Sequence, residues 1–362
     1  MYSINILNRE NTAFSKILDP QDLNFKITLG GRDTAKFRLP LSHPRAEKEN
    51  FQKHNRVEIY RVNPRDRSDI RKVWVGYIEA VRVVDENHLE VGCNGLLQLF
   101  EKRSVSRSFT NWQGGLAVFE LLESKVNADF DTFISAGITD VTNIFSQDFA
   151  DMDSLGAWGK IAEATGGELQ VDTDFRLNFK TQIGEDRTAN VIFRFVQNLQ
   201  NANSIDNFTL VEEGKELFNR VICYGKNRII SSILEDTASI SKFGLLEKVR
   251  HFTQIEDQNT LDRMAQELLD FHKPEKVIPT IEPKKEKVDL FDYGIGDRVR
   301  VIIKHALLDF DQVHRILEIT VSVGRNNEEK IQIKIAEVGT KAIKSDEERL
   351  AELAGRVDDL ES

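Results

Sequence analysis

The sequence predicts an α+β fold in which β structure dominates: two similar β-barrel domains, a small mixed α/β module between them, and a short helix at the C-terminus. Three observations carry this. An early stretch is echoed late: Asn55-Arg56-Val57-Glu58-Ile59-Tyr60 is answered by Gly296-Asp297-Arg298-Val299-Arg300-Val301. After each come a loop and a long strand pattern, residues 73–81 in one case and 313–321 in the other, and then a last alternating strand, Leu89-Glu90-Val91 or Ile331-Gln332-Ile333-Lys334-Ile335. Both regions alternate apolar and polar residues, the period of a half-buried strand, whereas residues 106–200 carry helical spacing.

The first domain is set at 1–105. Phe25, Ile27 and Leu29 alternate with polar residues, Gly30-Gly31-Arg32-Asp33 turns the chain, and Ala35, Phe37 and Leu39 alternate on the way back, which is a hairpin pattern. Residues 63–72 are polar with one proline and read as a loop. Several short strands joined by turns make a small barrel or sandwich. The mixed module, 106–200, has a helix with an expected apolar face of Leu116, Phe119, Leu122 and Val126. A second helix starts near Ser154, an N-cap residue type, and stops at Gly166-Gly167. A hairpin follows, with Leu169 and Val171 facing Leu177 and Phe179. The second barrel, 201–342, contains an inserted helix over 257–272 marked by Leu261, Met264, Ala265, Leu268 and Leu269. The proline-bearing stretch 274–287 reads as a strand or a connector.

The segment 343–362 differs from the rest. With Leu350 at a heptad a position, Leu353 is d, Val357 is a and Leu360 is d, the seam of a short coiled coil. From Lys344 to Ser362 there are seven acids and three bases. Two heptads are marginal alone, so the seam predicts an oligomer held by other contacts as well.

Bulk properties exclude several functions. The net charge of −10 argues against a general nucleic-acid binder, which needs a basic footprint. The two cysteines, Cys93 and Cys223, lie in strand-like runs and read as buried thiols, with no disulfide framework or zinc pattern. No run approaches the ~18 apolar residues of a membrane span. The start lacks the basic and apolar stretches of a signal peptide, so the chain is expected to fold in a reducing cytosol and to reach any other location by assembly.

The search for chemistry yields no catalytic, cofactor-binding or metal residue. Gly294-Ile295-Gly296 is a turn before a strand, without the helix that a dinucleotide fingerprint requires. There is no serine elbow and no His-Glu-x-x-His. Asp309, Asp311 and His314, and separately Asp148, Asp151 and Asp153, fit a hairpin and a helix start better than a cation site. Arg61, Arg65, Arg67, Arg71 and Lys72 cluster around one loop, diluted by Asp66 and Asp69. They read as a solvated loop or as contacts to a neighbouring subunit.

The phrases Trp74-Val75-Gly76-Tyr77-Ile78-Glu79-Ala80-Val81, Phe218-Asn219-Arg220-Val221-Ile222-Cys223-Tyr224-Gly225, Leu261-Asp262-Arg263-Met264-Ala265-Gln266-Glu267-Leu268-Leu269 and Gly294-Ile295-Gly296-Asp297-Arg298-Val299-Arg300-Val301 occur in an order that resembles the baseplate hub, or tail-tip hub, of long-tailed bacteriophages and contractile injection machines. The resemblance covers about residues 1–340. It implies a non-enzymatic virion protein without cofactors, in which the two barrels are tube-like domains. It further implies a homotrimer whose six such domains form a pseudo-sixfold ring. Its implied neighbours are the tail tube or distal tail ring, the tape-measure protein and a tip, spike or fibre, with DNA crossing only in transit. Few lysines or arginines should then face the channel, because bound phosphates would stall the DNA. The alternative is a tail protein that binds host-surface carbohydrate, for which Trp112 is the available aromatic.

Overall fold

A computed structural model describes residues 1–8, 12–128, 132–213, 217–252, 258–272, 276–305, 308–324 and 328–337. The chain forms two compact units. One comprises Met1–Phe208 with the described residues from Thr280 onward, and the other is Thr209–Pro279.

The first unit begins with seven strands: β1 (Tyr2–Leu7), β2 (Ala13–Ile17), β3 (Gln21–Thr28), β4 (Thr34–Pro40), β5 (Arg56–Val62), β6 (Ile70–Val83) and β7 (His88–Gly95). The expected hairpin is β3–β4, with Phe25 opposite Ala35. Along β7, Leu89, Val91 and Cys93 point inward and alternate with half-buried neighbours. Residues 74–78 of β6 are buried without alternation because both faces are covered. Trp74 and Ile78 enter the main core, whereas Val75 packs into the core of the mixed module.

A 3-10 turn, Leu96–Lys102, leads into the mixed module: β8 (Ser104–Gln113), α1 (Gly114–Leu121), β9 (Ser135–Thr139), β10 (Ile144–Asp153), α2 (Ser154–Thr165), β11 (Glu168–Val171) and β12 (Arg176–Lys180). α2 starts at Ser154 as the sequence predicts, and only its cap is corrected, by one residue. Asp153 is the N-cap, its Oδ1 accepting from the Gly156 amide at 2.7 Å, while the Ser154 hydroxyl donates to the Arg103 carbonyl. Gly166 ends the helix at φ 79°, a left-handed conformation that costs glycine little. Of the face expected for α1, Leu122 and Val126 are buried and Phe119 packs half-buried against the same core, but Leu116 is corrected: it is 54% exposed, and Ala117, Val118 and Leu121 fill the core beside them. One π turn, Leu122–Val126, follows α1 and changes the helical phase between Leu116 and Val126. The expected hairpin is β11–β12, with Leu169 opposite Phe179.

The chain returns to the large sheet through β13 (Ile192–Val196) and β14 (Ile205–Glu213). The second unit is spliced into the chain at this point. It holds β15 (Arg220–Tyr224), β16 (Ser231–Glu235), α3 (Thr237–Phe243), β17 (Glu247–His251) and α4 (Gln258–His272). Its small core joins Val221 and Cys223 to the Leu261, Ala265 and Leu269 stripe of α4. The large sheet then resumes with β18 (Lys276–Pro283), β19 (Arg298–His305), β20 (Leu308–Val323) and β21 (Glu329–Glu337).

The large sheet has thirteen strands in the order β14-β18-β21-β20-β3-β4-β7-β6-β5-β1-β2, with β19 bridging β20 to β13. One hydrophobic core runs beneath residues from both ends of the chain, from Ile4 and Phe25 to Ile319 and Ile335. Cys93 and Cys223 are buried free thiols, as the sequence predicts.

Candidate functional site

The feature that organises this molecule is the joint between its two β modules. β5-β6-β7 and β19-β20-β21 are the same antiparallel meander, matched down to single hydrogen bonds. Where the chain enters β5, the His54 amide donates to the Ile78 carbonyl at 2.8 Å and the Ile78 amide to the Asn55 carbonyl at 2.9 Å. Where it enters β19, the Gly296 amide donates to the Ile316 carbonyl at 2.8 Å and the Ile316 amide to the Asp297 carbonyl at 3.0 Å. His54 and Gly296 share a left-handed backbone, with φ of 68° and 82°. Both ladders then slip at the same place, between Ile78 and Ala80 in β6 and between Ile316 and Glu318 in β20. Such bulges bend a strand and sharpen its twist, so the two long strands share their local deviation as well as their pairing.

These matches equate Asn55 with Asp297, Ile78 with Ile316 and Cys93 with Ile335. The last strands align as the echo in the sequence predicts. The long strands align two residues away from it, so that Trp74 corresponds to Gln312 rather than His314. The correspondence extends outward. β4 joins β7 at Phe37 and Val91, and β18 joins β21 at Ile281 and Ile333. The orders β3-β4-β7-β6-β5-β1 and β14-β18-β21-β20-β19-β13 therefore agree strand for strand. They differ at one end, where β1 runs antiparallel to β5 and β13 runs parallel to β19.

The joint itself is made by β20. Its first half pairs with β19, and from Glu318 to Val323 the same edge pairs with β3, Glu318 opposite Thr28 and Val323 opposite Leu23. This seats Ile319, Val321 and Val323 in the common core. Two polar contacts cross the seam, Asn24 to Ser322 at 2.6 Å and Lys26 to Glu318 at 3.8 Å.

A buried charge clamp reinforces the joint. The Arg61 side chain, 2% exposed, donates two hydrogen bonds to Asp289 at 2.7 and 2.8 Å and two to Glu329 at 2.7 and 2.8 Å. The Tyr2 hydroxyl also donates to Glu329. Burial alone would raise the Asp289 pKa, but the Arg61 guanidinium outweighs it and holds the carboxyl below its ordinary value. The Phe291 ring is shared by Arg61 and Arg71, at 5.0 and 4.7 Å. The reading of the basic cluster is corrected at Arg61, which is buried in the clamp, whereas Arg65, Arg67 and Arg71 are exposed as a solvated loop predicts. Arg65 donates to Asp292 at 2.9 Å, and Lys72 pairs with Glu58 at 2.8 Å. The second module of the same chain supplies the partners of Arg61 and Arg65.

Two further arginines fasten the mixed module. Arg56 donates to the Thr132 carbonyl and lies over the rings of Phe133 and Phe175, at 5.4 and 5.2 Å. Arg315, 3% exposed, holds Glu168 through two bonds of 2.6 Å and reaches the Gly296 carbonyl at 3.0 Å. A cavity of about 330 Å³ remains where the β3–β4 turn, β6, β11 and residues 290–295 meet, lined by Thr28, Asp33, Trp74, Leu169, Phe291 and Tyr293 among others. The Asp33 carboxylate accepts from the Thr28 amide at 2.7 Å. Burial pushes its pKa up to about 7.

The acidic groups singled out in the sequence do not converge on a cation. Asp311 takes two bonds of 2.8 Å from Arg300, Asp309 faces Lys304, and the His314 ring stacks on Phe310 at 4.9 Å. Asp151 bonds Ser106, and Asp153 caps α2. Among the described residues no group of three acid, histidine or cysteine side chains is arranged to hold a metal ion. Trp112 lies on β8, half-buried and edge-on to Phe109 at 5.2 Å. The heptad residues Leu350, Leu353, Val357 and Leu360 lie outside the described residues.

The architecture matches solved structures over nearly its whole length. A tail protein from Neisseria meningitidis MC58 superimposes with a TM-score of 0.66 at 14% identity, covering 93% of this chain and 96% of that one. The 43 kDa tail protein of prophage MuSo2 from Shewanella oneidensis gives 0.67 at 12% identity, covering 93% and 97%. The fold is that of phage-type tail proteins. The same tail-protein fold is found in E. coli c3393, a type VI secretion component similar in structure to the T4 tail proteins gp27 and gp5. It gives a TM-score of 0.57 at 10% identity, covering 94% of this chain and 79% of that one. No family model matches the sequence, and no curated protein matches it.

Proposed function

We propose that this chain is a structural, non-enzymatic component of a phage-type tail, located in the virion at the distal end. In this reading three copies form a ring in which six β modules imitate sixfold symmetry. The ring joins the tail tube or distal tail ring to the tip, spike or fibre, meets the tape-measure protein, and leaves a channel for DNA. One observation carries it: two strand-for-strand equivalent modules in one chain, locked by β20–β3 pairing and the Arg61 clamp. A rigid pair of equivalent modules is the unit that a ring of threefold symmetry needs to offer six similar faces. The net charge of −10 fits a channel that does not retain phosphates. The seam at Leu350, Leu353, Val357 and Leu360 would add a short coiled coil to the trimer.

The test is native mass combined with electron microscopy of the full chain. Threefold particles with an axial hole are expected. Leu353→Asp with Leu360→Asp should raise the concentration needed for trimers by roughly tenfold while the β modules stay folded, because two heptads contribute only part of the contact. A wild-type chain that stays monomeric at every concentration overturns the proposal.

A further inference from the structure

The cavity beside the joint holds polar groups that the fold itself leaves unused. Among the described residues, the Thr28 hydroxyl, the Trp74 indole N–H and the Tyr293 hydroxyl are buried without a hydrogen-bond partner, and all three residues line the same space of about 330 Å³. Trp74 is 2% exposed and Tyr293 6%. Leaving a buried polar atom unpaired is costly, and tryptophan and tyrosine normally find a partner when buried. Trp158 is the contrast. Its indole N–H is also unpartnered, but it packs edge-on to Phe100 in the core of the mixed module and does not line the cavity. The rest of the wall decides what the occupant can be. Much of it is apolar, with Ile27, Val73, Leu97 and Ile319 among the lining side chains. Three of the charged side chains on its border are already paired within the protein: Arg71 with Asp69, Lys72 with Glu58 and Asp172 with Arg176. For the fourth, Asp33, burial disfavours the charged form.

We propose that this cavity is a binding site for a small uncharged molecule, with an aromatic or branched apolar body and one carbonyl or hydroxyl head. An indole N–H only donates, so the head accepts from Trp74, while the Thr28 and Tyr293 hydroxyls donate or accept as the head requires. A dry apolar cavity of about 150 Å³ already takes benzene, so the larger space here accommodates a ring together with its head. A mostly apolar wall with a few placed polar groups is the usual make-up of a small-molecule site. The position gives binding a consequence. Thr28 belongs to the first β module, Leu169 to β11 of the mixed module, and Tyr293 to the segment that leads into β19. A molecule held by the folded chain alone stabilises the place where these parts meet, by mass action and whether or not copies of the chain assemble into a ring.

The experiment uses the full chain with acetanilide, a neutral ring-bearing amide, as the probe, and with benzoate and benzylammonium as charged controls of similar size. The indole N–H signals of the three tryptophans and the melting midpoint are followed. The Trp74 signal, identified by its loss in Trp74→Phe, should move with acetanilide at a dissociation constant of about 1 mM or below, while the Trp112 and Trp158 signals stay in place. The midpoint should rise with acetanilide and stay unchanged with the controls. Thr28→Val and Tyr293→Phe keep the shape of each side chain and delete only its unpartnered oxygen. Together they should weaken acetanilide binding by about tenfold, and each alone by about threefold, with the free chain at least as stable as wild type because no bond within it is lost. A hydroxyl with a structural role only would lower the midpoint and leave the affinity untouched, which overturns the proposal. So does a Trp74 signal that stays fixed up to about 10 mM acetanilide, the result expected if ordered water alone fills the space. Charged controls that bind as well as acetanilide overturn it too, since the site is then not one for an uncharged molecule.

Discussion

The two β modules share strand order, bulge position and entry turn, yet they solve one local problem differently. At the turn before β5 the left-handed residue is His54, whose ring stacks on Tyr77 at 5.4 Å. At the turn before β19 it is Gly296, and a Cβ there would come within 2.4 Å of the Ile183 carbonyl oxygen. The first turn has room for a side chain and uses it. The second is pressed against the strand-connecting segment that reaches Arg315 and the mixed module. A repeated fold therefore constrains backbone geometry at both sites, while the neighbours decide which residue can supply it.

The sharpest way to break the comparison is to remove the clamp that ties one module to the other. Arg61→Ala leaves Asp289 and Glu329 buried without their cation and should cost about 3–5 kcal/mol in urea unfolding. A loss below about 1 kcal/mol would mean that strand pairing alone carries the joint. Next in size is the turn pair. Gly296→Ala combines a forbidden contact with an unfavourable φ and should cost about 2–4 kcal/mol. His54→Gly relieves the same φ but loses the stacked ring, so its effect should stay within about 1 kcal/mol. Equal effects at the two sites would show that the turns are not equivalent in the way described.

A smaller effect is expected at Asp33, which has a raised pKa in the folded chain. The folded state holds the proton more tightly than the unfolded state, so stability falls as pH rises from about 4 to about 7 and stays reduced above that. Asp33→Asn keeps an acceptor for the Thr28 amide and should flatten that slope. Its thermal midpoint at pH 8 should exceed wild type by about 2–8 °C, with no difference near pH 4. A wild-type midpoint that does not change between pH 4 and 8 would remove the basis for this assignment.

The duplication was legible because alternation and a short Arg-Val signature survive in both copies, and period-two patterning is a strong local signal. The exact register of the long strands was not, since a bulge leaves no residue signature and the loops before β6 and β20 differ in length. The clamp was invisible for another reason. Arg61 meets residues 228 and 268 positions away, and an arginine beside a polar loop looks solvated until those partners are known. On α1 the sequence places Leu122 and Val126 correctly and misplaces Leu116, because periodicity arguments assume an uninterrupted helix and a π turn shifts the phase. The tail-protein fold was readable from the order of modules, whereas the joint that gives the fold its meaning depends on pairing between residues that are remote in sequence.

One feature of the second module offers a route to engineering. The tip that is a four-residue turn at Gly30-Gly31-Arg32-Asp33 in the first copy is, in the second, the point where Thr209–Pro279 departs and returns. Lengthening a hairpin tip costs only about 0.6 kcal/mol per doubling of the loop and leaves the ladder beneath it intact. The shorter tip is therefore a natural graft site, and a foreign folded cargo spliced between Gly31 and Arg32 would decorate the copy that now carries none.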